Sequence, residues 1–345
     1  MTHRVRGAHP AVVLWVLTGI AVPLAWGCSS GGSTQSVHTR LSDDVEFEDD
    51  GDTRHPASEH VRAGEAKLVV GDLEGALADF RAAIAEDEDD ARAHLDLGLV
   101  LELSEAYEDA ERAYRRALTI DEDFPEALNN LGLLLLNTER AAEATTMLRR
   151  AVALRPRYAE ATLNLGLALE AQGDATGALD AYRRAARLSP DDAYPRVSLG
   201  LLLATQGDTT AAQTELNRAR SLAQGDAATL LEIGSALRQL GDFTGAQQAL
   251  RDAITANDDR QTPALAAELA LAQLGGGDTG GARRTVEQAL TGAPNDPTLH
   301  MLLGRIATEQ GDVPTARRAL TRMLQLDPNG PAADSARAWL AAHPG

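Results

Sequence analysis

The chain has few residues that could form covalent cross-links or an aromatic core. Cys28 is the only cysteine among 345 residues, which excludes an internal disulfide framework and any cysteine-based metal cluster. Phenylalanine, tryptophan and tyrosine together make up 3% of the sequence, whereas alanine and leucine are abundant. This composition is typical of thin helices that pack closely through small side chains.

Basic residues are also in deficit. The sequence has 32 lysines and arginines against 51 aspartates and glutamates, a formal net charge of -19. Residues 1–27 contain Arg4 and Arg6 but no acidic residue, so removing these two arginines leaves 30 basic residues and a net charge of -21. A surface of this sign repels a phosphate backbone. We therefore predict that nucleic acid is not a partner.

What the sequence does contain is one unit copied at a fixed period. A glycine recurs every 34 residues, and after two additional residues, Gln261 and Thr262, the column continues as Ala270 and Gly304. The column before the insertion is Gly64, Gly98, Gly132, Gly166, Gly200 and Gly234. An alanine column follows it: Ala76, Ala110, Ala144, Ala178, Ala212, Ala246, Ala282 and Ala316. A bulky apolar column comes four residues later: Phe80, Tyr114, Leu148, Tyr182, Leu216, Leu250, Val286 and Leu320.

Each copy is predicted to form two amphipathic helices joined by a tight turn. In Asn164–Pro190, apolar residues at helical spacing stand on both sides of Gly173–Asp174. Glycine suits the left-handed residue that ends a helix, and aspartate caps the next helix. Two copies have Glu105–Ala106 and Glu139–Arg140 instead, and we expect tighter or irregular turns there. Neither helix can bury its apolar face alone, so the copies should stack.

This period and these columns resemble the tetratricopeptide (TPR) repeat family. The resemblance implies an all-α fold, a right-handed α-solenoid of eight helical hairpins whose first helices line a concave face. The predicted repeats are 57–90, 91–124, 125–158, 159–192, 193–226, 227–260, 263–296 and 297–330. Residues 331–345 are predicted to form a capping helix and tail. We expect a local bend or splay of the stack at the two-residue insertion.

Residues 1–27 are predicted to be a lipoprotein signal peptide, because two arginines precede an apolar run that is short for a membrane span. Residues 24–28 resemble a bacterial lipobox, which implies cleavage before Cys28 and its acylation, although Trp26 departs from the small residue usual there. The alternative is an uncleaved anchor. Residues 28–56, Gly/Ser-rich and then acidic, are predicted to be a disordered linker. The same resemblance to bacterial lipoproteins implies, from Ser29 after the cysteine, an outer-membrane location facing the periplasm.

The sequence offers no constellation for catalysis or cofactor binding. The G-x-G-x-x-G match in residues 275–280 follows no predicted strand, and the G-x-S-x-G match in residues 27–31 lacks a strand–turn–helix context. His60 and His94 share one column of neighbouring repeats, where packing is favoured over metal binding because no third ligand is evident. We predict that the chain is not an enzyme and has no cofactor or metal site.

The first helix of each repeat carries a second apolar stripe, offset by one residue from the glycine column. A helix that is apolar around more than half its girth is either buried or forms a binding surface. Asn130 and Asn164 also resemble two rungs of the asparagine ladder with which some TPR arrays hold a peptide backbone. The predicted partner-binding groove comprises Leu95, Leu99, Asn129, Asn130, Leu133, Leu136, Leu163, Asn164, Leu167, Val197, Leu201 and Leu231. The alternative is that these leucines pack against the next first helix.

Together these features predict a membrane-anchored scaffold that binds a peptide or helix of an envelope protein in the concave groove. The nearest functional resemblance is to pilotins and other envelope-assembly TPR lipoproteins. The alternative function is an accessory subunit that recruits substrates for a separate glycosyl-transfer or wall-remodelling enzyme.

Overall fold

The structure, a computed structural model, describes residues 57–257 and 260–344. The predicted signal peptide, Cys28 and the linker lie outside these residues. Within them, all regular secondary structure consists of seventeen α-helices. The predicted all-α solenoid of helical hairpins is confirmed. The chain divides after Pro190 into two compact units, with α1 to α8 in unit 1 and α9 to α17 in unit 2.

The helices follow one another as antiparallel pairs joined by short turns. Unit 1 contains α1 (Glu59–Val69), α2 (Leu73–Glu86), α3 (Ala91–Leu103), α4 (Tyr107–Ile120), α5 (Pro125–Asn137), α6 (Ala141–Leu154), α7 (Ala159–Ala171) and α8 (Ala175–Leu188). Unit 2 contains α9 (Tyr194–Thr205), α10 (Thr209–Leu222), α11 (Ala227–Gln239), α12 (Phe243–Ala256), α13 (Pro263–Gly275), α14 (Thr279–Gly292), α15 (Pro297–Glu309), α16 (Val313–Leu326) and α17 (Ala333–Ala342). Odd-numbered helices up to α15 are the first helices of hairpins, and even-numbered helices are the second helices.

A residue with left-handed backbone forms the turn inside each hairpin. In six hairpins it is a glycine with φ between 71° and 82°, a region that glycine enters without steric cost. The aspartate that follows caps the second helix, as Asp174 does by accepting a hydrogen bond of 3.0 Å from the Gly177 N–H. The Gly-Asp pair therefore ends one helix and begins the next.

The expectation of irregular turns in hairpins 2 and 3 is wrong. Glu105 and Glu139 adopt the same left-handed conformation as the glycines, with φ of 60° and 62°. The backbone hydrogen bond that closes the turn, 2.8 Å from Ala106 N to Leu101 O, has counterparts in the glycine-containing hairpins. Packing of the two helices thus imposes the turn, and glutamate adopts a conformation that costs roughly 1–2 kcal/mol for a residue with a Cβ atom.

The glycine column and the bulky column are two sides of one contact. A Cβ atom placed on Gly132 would lie only 2.6 Å from Cγ of Leu148, so the two helices approach too closely for a side chain there. Hairpin 7 has Ala270 at the glycine position and the smaller Val286 opposite, and both are fully buried in one apolar cluster. The larger residue on the first helix is matched by a smaller residue on the second.

Unit 2 remains tightly packed at the two-residue insertion. Leu250 of α12 and Leu265 of α13 belong to one apolar cluster, so the stack does not splay there, and the local bend stays a prediction. Thr262 caps α13 by accepting a hydrogen bond of 3.3 Å from the Leu265 N–H. At the end of the unit, Trp339 of α17 is buried in a cluster with Leu320 of α16. Helix α17 therefore covers the apolar side of the last hairpin.

Candidate partner-binding face

The first helices of unit 1 form a continuous surface. Helix α1 packs against α3, α3 against α5, and α5 against α7. In the described part of unit 1, the second helices α2, α4, α6 and α8 do not pack against one another to the same extent. The hairpins are therefore closer together along their first helices, which places those helices on the inner side of the unit's curve. We call this surface of α1, α3, α5 and α7 the first-helix face of unit 1.

The predicted groove leucines are packed more closely than an open apolar groove requires. Four of the predicted apolar residues are at most 9% exposed: Leu95, Leu133, Leu136 and Val197. Five are half-buried: Leu99, Leu163, Leu167, Leu201 and Leu231. The more exposed large apolar side chains lie outside the predicted set: Val69, Val70, Tyr107, Leu154 and Val313. The four buried residues therefore pack within the stack of helices. Only the five half-buried residues keep solvent-exposed apolar surface that a partner could contact.

The three predicted asparagines are joined in one hydrogen-bond network. Asn164 Nδ2 donates to Asn129 Oδ1 at 2.9 Å, and Asn129 Nδ2 donates to Asn130 Oδ1 at 3.3 Å. Asn129 Nδ2 also donates to Glu160 Oε1 at 3.0 Å. Asn130 and Asn164 stand at equivalent repeat positions, but the buried Asn129 lies between them in the network. The network therefore ties α5 to α7, and the half-buried Asn130 is its most accessible asparagine.

Sequence reasoning missed two tyrosine–carboxylate pairs inside the hairpins of unit 1, one of which joins this network. The Tyr114 hydroxyl donates to Glu102 Oε2 at 2.9 Å, and the Tyr182 hydroxyl donates to Glu170 Oε2 at 2.6 Å. Burial, followed by the charge of the adjacent carboxylate, raises the pKa of both tyrosines well above its ordinary value, so the hydroxyls remain protonated. Tyr114 is also hydrogen-bonded to Asn130. The available signal was a glutamate twelve residues before each tyrosine of the bulky column.

A buried group of three charged residues joins α1 to α3. Arg92 donates from Nε and Nη2 to the same oxygen, Oε1 of Glu65, at 3.1 Å and 2.8 Å. Asp96 is 4% exposed, and its Oδ2 lies 3.9 Å from Arg92 Nε but accepts no hydrogen bond from the described residues. Burial, followed by repulsion from Glu65, raises the pKa of Asp96 well above its ordinary value, against the opposing effect of Arg92. Arg92 is thus the one cationic side chain of this group, and it lies next to two buried carboxyl groups but donates hydrogen bonds only to Glu65 within it.

A second carboxyl group with only one paired oxygen, that of Glu126, lies at the start of α5. Oε1 of Glu126 forms an ion pair with the guanidinium of Arg155. The other oxygen, Oε2, is buried and accepts no hydrogen bond from any residue that the structure describes. Glu126 and Asp96 lie on neighbouring first helices, so the face carries two carboxylate oxygens that lack donors.

The histidines of the first-helix column contact the chain itself. His60 Nε2 lies 3.3 Å from Glu86 Oε1, and His94 Nε2 lies 3.2 Å from the backbone oxygen of Glu88. Burial lowers the pKa of His94. In residues 57–257 and 260–344, no three His, Cys, Asp or Glu side chains are grouped so as to hold a metal ion. Each helix within the same ranges is too short or too polar to traverse a lipid bilayer.

Stacked antiparallel helix pairs, with the same contact between small and bulky columns repeated along the chain, define an α-solenoid repeat protein. Two tetratricopeptide repeat family models match the sequence, one at residues 61–127, 129–193 and 197–261 and the other at 237–306 and 273–340. The chain belongs to the tetratricopeptide repeat family. Proteins of this family are generally non-catalytic scaffolds, and the repeats of this chain support a role as a protein-interaction scaffold.

Solved structures with the same fold include two proteins that the chain covers almost entirely. The chain is 22% identical to PilW, a type IV pilus biogenesis factor, with a TM-score of 0.53 over 60% of this chain and 94% of PilW. It is 23% identical to Pseudomonas aeruginosa PilF, with a TM-score of 0.50 over 58% of this chain and 91% of PilF. These identities show the fold alone. A comparison with curated proteins gave no match.

Proposed function

We propose that the first-helix face of unit 1 holds an extended segment of a partner protein. The observation that carries this proposal is that amide groups and half-buried leucines share α5 and α7, with Asn130 on the first and Leu163 and Leu167 on the second. An amide side chain donates and accepts hydrogen bonds at once, which suits a peptide main chain. Covering half-buried leucines removes apolar area from water at about 25 cal/mol per Å², before the cost of ordering the partner.

The test compares the same substitution on the two helices of hairpin 4. Leu163→Asn with Leu167→Asn alters the first-helix face, whereas Leu179→Asn alters a half-buried leucine of α8. Partners of the full chain are captured by cross-linking in intact cells and identified by mass spectrometry. We expect the first variant to lose a partner that the parent protein and the Leu179→Asn variant both retain.

Circular dichroism establishes that all three proteins keep the same helicity before the captures are compared. Equal capture by the parent protein and the Leu163→Asn, Leu167→Asn variant would place the partner elsewhere and refute the proposal. Equal loss in both variants would also count against it, because the first-helix face would then have no special role.

We further propose that the chain is lipid-anchored in the bacterial envelope through Cys28, and that its partner is an envelope protein. The lipobox-like residues 24–28 support the anchor. The similarity to PilW, a type IV pilus biogenesis factor, gives a reason to seek the partner among envelope proteins. Cells fed an alkyne-bearing fatty acid should label the parent chain, and Cys28→Ala should abolish the label. An unlabelled parent chain in the soluble fraction would contradict the anchor.

A further inference from the structure

Charge is distributed unequally between the two helices of hairpins 2 to 4 of unit 1. Hairpin 1 differs, because α1 carries two acidic and two basic residues, and α2 carries three acidic residues and one arginine. The first helices α3, α5 and α7 carry five acidic residues and one arginine: Asp96, Glu102, Glu126, Glu160, Glu170 and Arg92. The second helices of the same hairpins, α4, α6 and α8, carry five acidic residues and eight arginines. The net charge is therefore -4 on the first helices and +3 on the second helices. The acidic excess of these hairpins lies on the face to which we assign the partner.

Unit 2 has no such excess on its first helices. Helices α9, α11, α13 and α15 together carry three acidic residues and three arginines. At the repeat position that Asp96 occupies, α11 has Glu232 and α13 has Glu268. Glu268 is paired with Arg238 at 2.8 Å. The two units thus share a repeat geometry but differ in the charge of the corresponding face, which provides an internal control.

Two acidic groups on the face each have one carboxyl oxygen that accepts no hydrogen bond. Oδ2 of Asp96 and Oε2 of Glu126 are buried and accept no hydrogen bond from the described residues. Asp96 as a whole is 4% exposed. A buried carboxylate oxygen without a donor is costly to the fold, and a hydrogen bond to a cationic donor is among the stronger ones available to it. The two groups lie on adjacent helices, so one ligand could supply both donors.

We infer that the first-helix face of unit 1 recognises an extended protein segment that carries arginine or lysine side chains, whose N–H groups donate to Asp96 and Glu126. This inference rests on the proposed function and specifies the chemistry of the partner. Packed helices lie about 8–10 Å apart, so the distance from α3 to α7 is about 20 Å. An extended chain rises about 3.3 Å per residue, and about six residues cover that distance. Alternate side chains of such a segment point to one face.

The probe is a fluorescent eight-residue peptide of alternating arginine and alanine, with a glutamine–alanine peptide as its neutral counterpart. Fluorescence anisotropy measures binding to the full chain. The test variant is Asp96→Asn with Glu126→Gln, and the matched control is Glu232→Gln with Glu268→Gln, which likewise replaces two carboxyl groups by amides, but on the first helices of unit 2. Since Asp96 is buried, the exposed Glu160→Gln serves as a second test variant should the first fail to fold.

We expect the arginine peptide to bind the parent chain and the unit 2 control with Kd values within about twofold of each other. The unit 1 variant should raise Kd about tenfold or more, because truncating one member of a buried charged contact typically costs at least that factor. Added salt should weaken binding, and the neutral peptide should bind much more weakly. An equal rise of Kd in the test and control variants would overturn the inference, since net charge alone would then explain binding.

Two further outcomes separate the inference from the proposed function. If the cellular partner is lost with Leu163→Asn and Leu167→Asn but bound equally well by Asp96→Asn with Glu126→Gln, the proposed function stands and the cationic segment is refuted. If the parent chain self-associates in sedimentation and the Asp96→Asn, Glu126→Gln variant does not, the face takes a second copy of this chain. That result would also overturn the inference.

Discussion

Replacing Glu232 by glutamine should stabilise unit 2 at neutral pH. Burial, followed by the charge of Asp226, raises the pKa of Glu232 from the ordinary value of 4.5 to about 7. A tenfold change in an ionisation constant is about 1.4 kcal/mol, so ionising this carboxyl group costs the folded unit about 3 kcal/mol. Glutamine has nearly the same shape and cannot ionise, so the variant avoids this cost.

The sign of the effect follows from proton linkage. In the unfolded chain the Glu232 carboxyl ionises near pH 4.5, whereas in the folded chain it stays protonated until about pH 7. The unfolded state therefore binds fewer protons between these values, and the free energy of unfolding falls as pH rises through that window. Above pH 7 the cost is constant. We expect Glu232→Gln to match the parent protein near pH 4 and to exceed it by up to about 3 kcal/mol at pH 8.

The assay is urea unfolding followed by circular dichroism at pH 4, 6 and 8, with the parent protein and variant compared at each pH. A repeat array need not unfold in one step, so hydrogen exchange of α11 amides reports the local stability directly. Glu268→Gln is the control, because Glu268 has the same repeat position but is paired with Arg238. A gain for Glu232→Gln that does not depend on pH, or an equal gain in the control, would refute the reasoning.

Two other predictions concern the hairpins of unit 1. Glu139→Gly should raise the free energy of unfolding by about 0.5–1 kcal/mol. The substitution removes the strain of a left-handed glutamate at φ 62°, which outweighs the greater chain entropy that glycine gives the unfolded state. Urea unfolding measures the change, and a loss of stability would contradict the prediction. In a double-mutant cycle, the effects of Gly132→Ala and Leu148→Val on the free energy of unfolding should show a favourable coupling of about 1 kcal/mol or more. The smaller valine makes room for the new Cβ atom at position 132, as Val286 does for Ala270 in hairpin 7. Additive effects would show that the two columns do not oppose each other in solution.

Much of the fold could be predicted because the repeat imposes the same packing problem eight times. The glycine at 132 and the leucine at 148 recur together through the chain, and the structure shows that they meet. A single helix pair would not reveal such a contact, since small and bulky residues occur in any helix. Repetition at one spacing separates the residues that packing requires from those that vary.

The turns at Glu105 and Glu139 show where local preference is overridden. The left-handed conformation is unfavourable for glutamate, and the sequence therefore predicted a different turn. The hairpin is held by two buried helix faces whose combined packing outweighs a cost of one or two kcal/mol. Local rules fail at these positions because the decisive contacts lie far from the turn in the sequence.

The sequence did not show which leucines of the proposed site are buried and which are half-exposed. Whether Leu133 is covered and Leu163 half-covered depends on how closely successive first helices approach, which periodicity does not specify. The asparagine network could not be predicted for the same reason. Asn130 and Asn164 occupy equivalent positions of neighbouring repeats, but the hydrogen bonds between α5 and α7 run through Asn129. The unequal charge of the first and second helices, by contrast, can be counted from the sequence once the helix boundaries are known.

The placement of Asp96 and Glu126 bears on why a stack of hairpins would retain buried acidic groups. An apolar residue at the position of Asp96 would suit the packing of neighbouring helices, as Leu302 does at the corresponding position in hairpin 8. A buried carboxyl oxygen that accepts no hydrogen bond lowers the stability of the free chain. A ligand that brings its own N–H donors recovers that loss only when it is bound, so its affinity depends on charge as well as on covered area. A purely apolar face would bind any apolar segment. On the inference drawn above, this face would reject segments that lack N–H donors, and that distinction would be the basis for selective capture.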